Sequence, residues 1–179
     1  MDEVILVDHN DQVVGVAEKM HAHRLGALHR AFSVMLYRMH NDQMEVLLQR
    51  RAASKYHCPG LWSNTCCSHP QPGETVLVAA HRRLQEELGI VEIDLTPIGC
   101  FVYQAKFDNG LTEHEYDHVL LGYYNDTPNR VNLEEVSEIQ WVYFDELKSV
   151  LAQQEKGDQY TVWLPEILQT MGDYFNIQH

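Results

Sequence analysis

The chain opens with two pairs of short apolar runs, each pair split by a polar break. Val4-Ile5-Leu6-Val7-Asp8 and Val13-Val14-Gly15-Val16-Ala17 flank His9-Asn10-Asp11-Gln12, and residues 31–37 and 44–49 flank His40-Asn41-Asp42 in the same manner. Each pair predicts a β-hairpin. Between residues 75 and 88 the spacing changes: Leu77, Ala80, Leu84 and Leu88 recur at intervals of three and four, the stripe of an amphipathic helix, and Gly89 is placed to cap its C-terminus. Further strands are predicted at about 98–107, 116–124 and 138–144. Asp145 suits the N-cap of a helix through Leu151, and residues 161–175 read as a terminal helix. Strands interleaved with two or three helices predict an α/β or α+β fold with a mixed sheet between helices.

Composition narrows this picture. A chain of 179 residues, 45% apolar and 22% charged, has the length and make-up of one soluble domain with a full core, so residues 1–179 are expected to form a single domain. No run approaches the roughly 20 apolar residues that span a bilayer. The acidic start Met1-Asp2-Glu3 lacks the basic opening of a secretion signal, and a cytoplasmic location is expected. Cys58, Cys66, Cys67 and Cys100 form no C-x-x-C pair and are read as reduced thiols. A net charge of −13 disfavours nucleic acid and anionic membranes as partners. An anionic small molecule would need a local basic pocket, for which Lys19, Arg50, Arg51, Lys55, Arg82 and Arg83 are the candidates. The sequence assigns no oligomeric state.

The chemistry concentrates in one turn-plus-helix unit. Ser63-Asn64-Thr65-Cys66-Cys67-Ser68-His69-Pro70 brings a thiol and an imidazole close to the carboxylates of the 75–88 helix. Glu113 and Glu115 add two more carboxylates, two residues apart and so on one face of a regular strand, and His23 and His29 lie upstream. The set points to a metal-assisted site with a reactive cysteine. In an extended segment Cys66 and Cys67 face opposite ways, and Cys66 is read as packing. His21, His57, His81, His114 and His118 are read as ordinary surface or satisfied histidines, and Arg50 and Arg82 as surface ion pairs.

Residues 68–90 fit the Nudix signature G-x5-E-x7-R-E-U-x-E-E-x-G-U, with U apolar, at Glu74, Arg82, Leu84, Glu86, Glu87, Gly89 and Ile90; Ser68 replaces the first Gly and Arg83 replaces a Glu. With Glu18-Lys19, Arg50-Arg51-Ala52-Ala53-Ser54-Lys55, Pro59-Gly60-Leu61-Trp62-Ser63-Asn64, Cys67-Ser68-His69-Pro70 and Glu113-His114-Glu115, the chain from about Val4 to Trp163 resembles the type I isopentenyl-diphosphate isomerases, relatives that share the Nudix fold.

That resemblance implies a Nudix-like mixed sheet sandwiched between helices. It implies a divalent metal, Mn²⁺, Mg²⁺ or Zn²⁺, held by His23, His29, His69, Glu113 and Glu115. It further implies a prenyl diphosphate substrate bound by Lys19, Arg51, Lys55 and Arg83, a Mg²⁺ ion carried with that diphosphate on Glu87, and Tyr103 and Trp163 in the active site. Cys67 and Glu115 would then be the acid–base pair, with Glu115 assisted by Tyr103 delivering a proton and Cys67 as thiolate taking one; the opposite order is also chemically open. Nearby imidazole, metal or helix N-terminus would lower the Cys67 pKa. The alternative reading is a Nudix pyrophosphohydrolase acting on a nucleoside or prenyl diphosphate. Arg83 argues against it, because a cation cannot ligate the metals that activate water, whereas a guanidinium suits phosphate oxygens.

Overall fold

A computed structural model describes residues 2–55, 58–153 and 159–178; His57 lies outside these. The first hairpin is β1 (Glu3–Val7) and β2 (Val13–Glu18), and the second is β3 (His29–His40) and β4 (Gln43–Arg51). Between them sits a helix the apolar pattern did not predict, α1 (Lys19–Leu25). Seven residues are too few to display a periodic stripe. The Glu18 carboxylate accepts from the amides of Met20 and His21, and Gly26 ends the helix in a left-handed conformation (φ 67°).

Two very short strands follow, β5 (Trp62–Ser63) and β6 (Cys66–Ser68), then α2 (Val76–Leu88), β7 (Thr96–Lys106), β8 (Thr112–Tyr123), β9 (Val136–Tyr143), α3 (Phe144–Ala152) and α4 (Leu164–Gln178). Helix α2 matches its prediction: Thr75 Oγ1 accepts from the Val78 amide, and Gly89 caps the far end at φ 67°. Helix α3 begins two residues earlier than expected, with Tyr143 at the N-cap and no side-chain cap. Asp145 lies instead in the first turn with Glu146, where carboxylates complement the positive end of the helix. Helix α4 begins at Leu164 rather than Thr161. Thr161 is held outside it, its amide donating to Trp62 O and its hydroxyl meeting Ser63 Oγ at 3.1 Å, while Pro165, which lacks an amide hydrogen, suits a first helical turn.

The sheet is mixed. β3 is its spine: one edge pairs in parallel with β8, from His29–Glu115 to Tyr37–Tyr123, and the other meets β1, β6 and β4 antiparallel. β7 pairs with β8, β9 with β4, and β2 with β1. Side-chain parity divides the core. Phe32, Val34 and Leu36 of β3 face one way and pack with Leu84 and Leu88 of α2, whereas Met35 faces the other way and packs with Trp163, Leu164, Ile167 and Met171 around α4. The expected sheet between helices is therefore the observed one. Among the described residues no helix is long and apolar enough to cross a membrane.

Two glycine substitutions with opposite signs test this description. A Cβ at Gly89 would stand 2.5 Å from Arg130 Cβ, and a left-handed backbone by itself costs an alanine about 1–2 kcal/mol. Gly172, inside α4, has no atom within 4 Å of the corresponding point, and alanine there should add about 0.5–1 kcal/mol. Denaturant unfolding is expected to show a lowered midpoint for Gly89→Ala and a raised one for Gly172→Ala.

Candidate active site

Parity places the chemistry. On the face of β3 shared by His29, Ala31, Ser33 and Met35, the parallel register sets His29 beside Glu115 and Ala31 beside Asp117. The β7 register sets Tyr103 beside Glu115 and Ala105 beside Glu113, and the β6 register sets Cys67 beside Ser33. Residues at matching positions of neighbouring strands share a face. His69 follows β6 directly, and α1 carries the fully buried His23 to the same place.

The result is a tight cluster. One ligand atom from each of His23, His29, His69 and Glu115 lies within 4.8 Å of the others. His69 Nε2 is 2.6 Å from Glu115 Oε2, and His29 Nε2 is 3.4 Å from the same oxygen and 3.2 Å from His69 Nε2. His29 Nδ1 donates to Ala27 O at 2.9 Å, which orients the ring with Nε2 aimed into the cluster. Burial drives His69 down to about 4 despite the Glu115 carboxylate, so its imidazole is neutral. Burial by itself would raise Glu115, yet His69 and His29 hold it well below the usual carboxylate range. Imidazoles converging on an ionised carboxylate are the donor set of a divalent metal.

Glu113 stands beside this group rather than within it. Its Oε1 accepts from the Tyr103 hydroxyl at 3.0 Å, while its Oε2 is buried with no hydrogen-bond partner among the described residues. Burial and the neighbouring Glu115 push its carboxyl well above the usual range. An orphaned buried oxygen next to four converging donors fits a fifth ligand to the same ion. The Tyr103 hydroxyl also donates to Glu115 Oε1, so one phenol ties both carboxyls together.

His69 and Glu115 of the cluster line a cavity, together with Cys67, Glu113 and Trp163 and with a basic set, Lys19, Arg51, Lys55, Arg82 and Arg83. Cys67 Sγ accepts from Arg51 Nη1 at 3.8 Å, and the Arg51 guanidinium lies 5.8 Å from the Trp163 ring centroid. The Trp163 and Tyr103 rings are 5.8 Å apart. Lys19 is pulled below its ordinary pKa by burial and then by the charges of Lys55, Arg83 and Arg51, the signature of cations crowded together.

Several expectations change here. The Cys67 thiol is not lowered: burial pushes it up to about 12, with Arg51 opposing too weakly to compensate, so with protein groups alone it is a neutral thiol. Cys66 faces α2 as expected, but it does more than pack, since its thiol donates to Glu87 Oε2 at 3.2 Å. Glu87 is buried and accepts from Gln49 and Arg83 as well; it is absent from the cavity lining and from the histidine cluster. Arg83 is paired with Glu86, Glu87 and Glu135. Arg82 makes a two-pronged pair with Glu74 at 2.9 Å for each bond, bracing the loop before α2 against the helix.

Among the lining residues not anticipated are the acids Asp117 and Glu135. Asp117 is buried, accepts from Ser33 Oγ at 2.9 Å, and leaves Oδ1 without a partner among the described residues. The alternation that selected Glu113 and Glu115 extends to it and was the available signal. Glu135, in the turn before β9, carried none. Asn64 holds the site's frame: its amide donates to Val34 O and Cys66 O, while its Oδ1 accepts from the Trp163 indole at 3.0 Å.

Comparison with known proteins agrees with this geometry. The NUDIX domain family model matches residues 27–164. An isopentenyl-diphosphate Delta-isomerase of Photobacterium profundum is 48% identical over 94% of this chain and 93% of its own, and one of Pectobacterium atrosepticum is 45% identical over 98% and 94%. Among solved structures, DR0079 from Deinococcus radiodurans superposes with a TM-score of 0.75 at 21% identity, covering 94% of this chain and 98% of that one. The NUDIX domain of Shewanella oneidensis NrtR, complexed with ADP ribose, gives 0.62 at 14% identity over 83% and 87%. These two likenesses establish the fold. The chain therefore belongs to the NUDIX domain family and, within it, to the isopentenyl-diphosphate Delta-isomerases.

Proposed function

We infer that this chain interconverts isopentenyl diphosphate and dimethylallyl diphosphate in isoprenoid biosynthesis, within a single Nudix-like domain, by adding a proton at one end of a three-carbon unit and removing one from the other. The observation that carries this reading is a single cavity lined by a thiol, a cluster carboxylate, an indole and a basic wall.

Lys19, Arg51, Lys55 and Arg83 are proposed to hold the diphosphate, whose binding energy fixes the five-carbon chain between Cys67 and Glu115. In one direction Glu115 in its protonated form, steadied by the Tyr103 hydroxyl, delivers a proton to the terminal carbon and Cys67 as thiolate removes one from C2. Each group takes the opposite part when the reaction runs backwards, and the neutral thiol and ionised Glu115 described above are the starting state of that reverse direction. Trp163 presents a ring face to the positive charge that develops on the tertiary carbon. The buried aromatic wall excludes water, which would trap that cation as an alcohol.

His23, His29, His69 and Glu115, with Glu113 alongside, suit a divalent ion, Mn²⁺, Mg²⁺ or Zn²⁺. Such an ion would polarise the Glu115 carboxyl and fix its orientation. If Glu87 holds a Mg²⁺ ion carried with the diphosphate, its carboxylate must first be released by Cys66 and Arg83; one carboxylate plus phosphate oxygens would then satisfy the ion. Arg83 stands where a hydrolase of this fold would carry a glutamate, and its pairing with three carboxylates disfavours pyrophosphate hydrolysis.

Proton NMR of isopentenyl diphosphate in D₂O with metal-loaded protein is expected to show dimethylallyl diphosphate and deuterium at the allylic positions; unchanged substrate would sink the reading. Cys67→Ala is expected to lower kcat by about 10²–10⁴-fold while retaining the metal, whereas Glu115→Gln should lose both kcat and bound metal, as measured by elemental analysis. Incubation with Mg²⁺ and nucleoside diphosphates should release no phosphate. Robust release would instead favour the hydrolase reading.

A further inference from the structure

We propose that Glu135 is a specificity-determining residue of the diphosphate site, a built-in anion that competes for Lys55 and Arg83 and yields only to a ligand able to satisfy both cations together. The inference rests on the reading of the basic wall as a diphosphate clamp.

Glu135 lines the same cavity as Lys19, Lys55 and Arg83. Its Oε2 is ion-paired with Lys55 Nζ, and Arg83 Nη2 lies 3.4 Å from the same oxygen. A single carboxylate oxygen thus bridges two cations carried by different parts of the chain. The other carboxylates on Arg83, Glu86 and Glu87, belong to its own helix.

The backbone holds this carboxylate in place. The Ala52 amide donates to Glu135 O at 3.1 Å, tying the turn to the segment that carries Lys55, whose own amide donates to Ala52 O. The Asn132 amide donates to Glu87 O at 2.8 Å, and the Glu135 amide donates to Asn132 O at 3.0 Å, tying the turn to the end of α2 that carries Arg83. Glu135 is therefore presented to the two cations by hydrogen bonds to both elements that bear them. Burial would raise its carboxyl, but Lys55, Arg83 and Lys19 hold it below its ordinary value, so it is an anion at neutral pH.

A carboxylate in this seat relieves the mutual repulsion of the cations, and it also repels any incoming anion. An anion with one charged centre can replace it on one cation only and remains beside a like charge. A diphosphate has two phosphoryl groups and can take both cations at once, so the cost of moving Glu135 is met by the doubly seated ligand. Discrimination by an unfavourable group inside the site is a general route to specificity.

The test is calorimetric titration of the folded full chain with inorganic pyrophosphate and with inorganic phosphate, each with and without Mg²⁺, for wild type and Glu135→Gln. Glu135→Gln is expected to bind both anions more tightly, by about threefold or more, with the larger gain for phosphate, so that selectivity for pyrophosphate narrows. Pyrophosphate binding that is unchanged or weaker in this variant would overturn the proposal; a loss confined to the Mg²⁺ samples would overturn it by making Glu135 a ligand of that ion. If Glu135→Gln does not fold, Glu135→Asp, one methylene shorter and unable to bridge both cations, should fall between wild type and the expected glutamine values, and wild-type binding would overturn the idea. Absence of pyrophosphate binding to wild type would instead remove the clamp reading itself, a result separate from the ranking of the variants.

Discussion

His29 reaches Glu115 because β3 and β8 run parallel and in register along most of the length of β3. Parallel neighbours cannot be joined by a tight turn, so the chain must leave the sheet and return, and in doing so it carries α2 across one face. The same pairing therefore supplies a helix that buries the even-numbered apolar side of β3 and a carboxylate-bearing strand on its odd-numbered side. A slip of one residue would turn Glu113, Glu115 and Asp117 toward Leu84 and Leu88 and leave the histidines without an acidic partner. The apolar contacts of α2 oppose that slip, so core packing and site geometry are enforced together.

Around this frame an acidic protein builds a local basic wall. The cations on it do not stand alone: Arg82 is braced by Glu74, Arg83 by Glu86 and Glu87, and Lys55 by Glu135. On β8, three carboxyls are buried on one face, and among them only Glu115 has imidazoles beside it to hold it ionised. Burying this much acid is expensive unless cations or protons compensate. The partnerless oxygens of Glu113 and Asp117 mark where protein groups alone leave the compensation incomplete.

Periodicity made the long elements legible. The stripe Leu77, Ala80, Leu84 and Leu88 and the stop at Gly89 located α2, and apolar runs about polar turns located both hairpins. Elements too short to show a period escaped it: α1 depends on the Glu18 cap and Gly26, and β5 and β6 on side-chain hydrogen bonds from their neighbours. The Nudix signature and the resemblance around it named Cys67, His69, Glu113, Glu115 and the basic residues, and the fold gathers them at one cavity. What spacing does not carry is the balance of burial against charge. The high proton affinity of Cys67 and the enclosure of Glu87 by Gln49, Cys66 and Arg83 depend on side chains remote in sequence.

Asn64 gives the site an unusual mechanical economy. Its one amide group is bonded to the central strand, to the strand bearing both thiols, and to the indole at the threshold of the last helix. The indole and the strand that bears the sulfur are thus tied to one planar group, in addition to the pairing of that strand with β3. A minimal catalytic fragment of this chain that stopped at the final strand would lose Trp163 and with it the indole that caps the Asn64 oxygen, leaving a buried acceptor short of that partner.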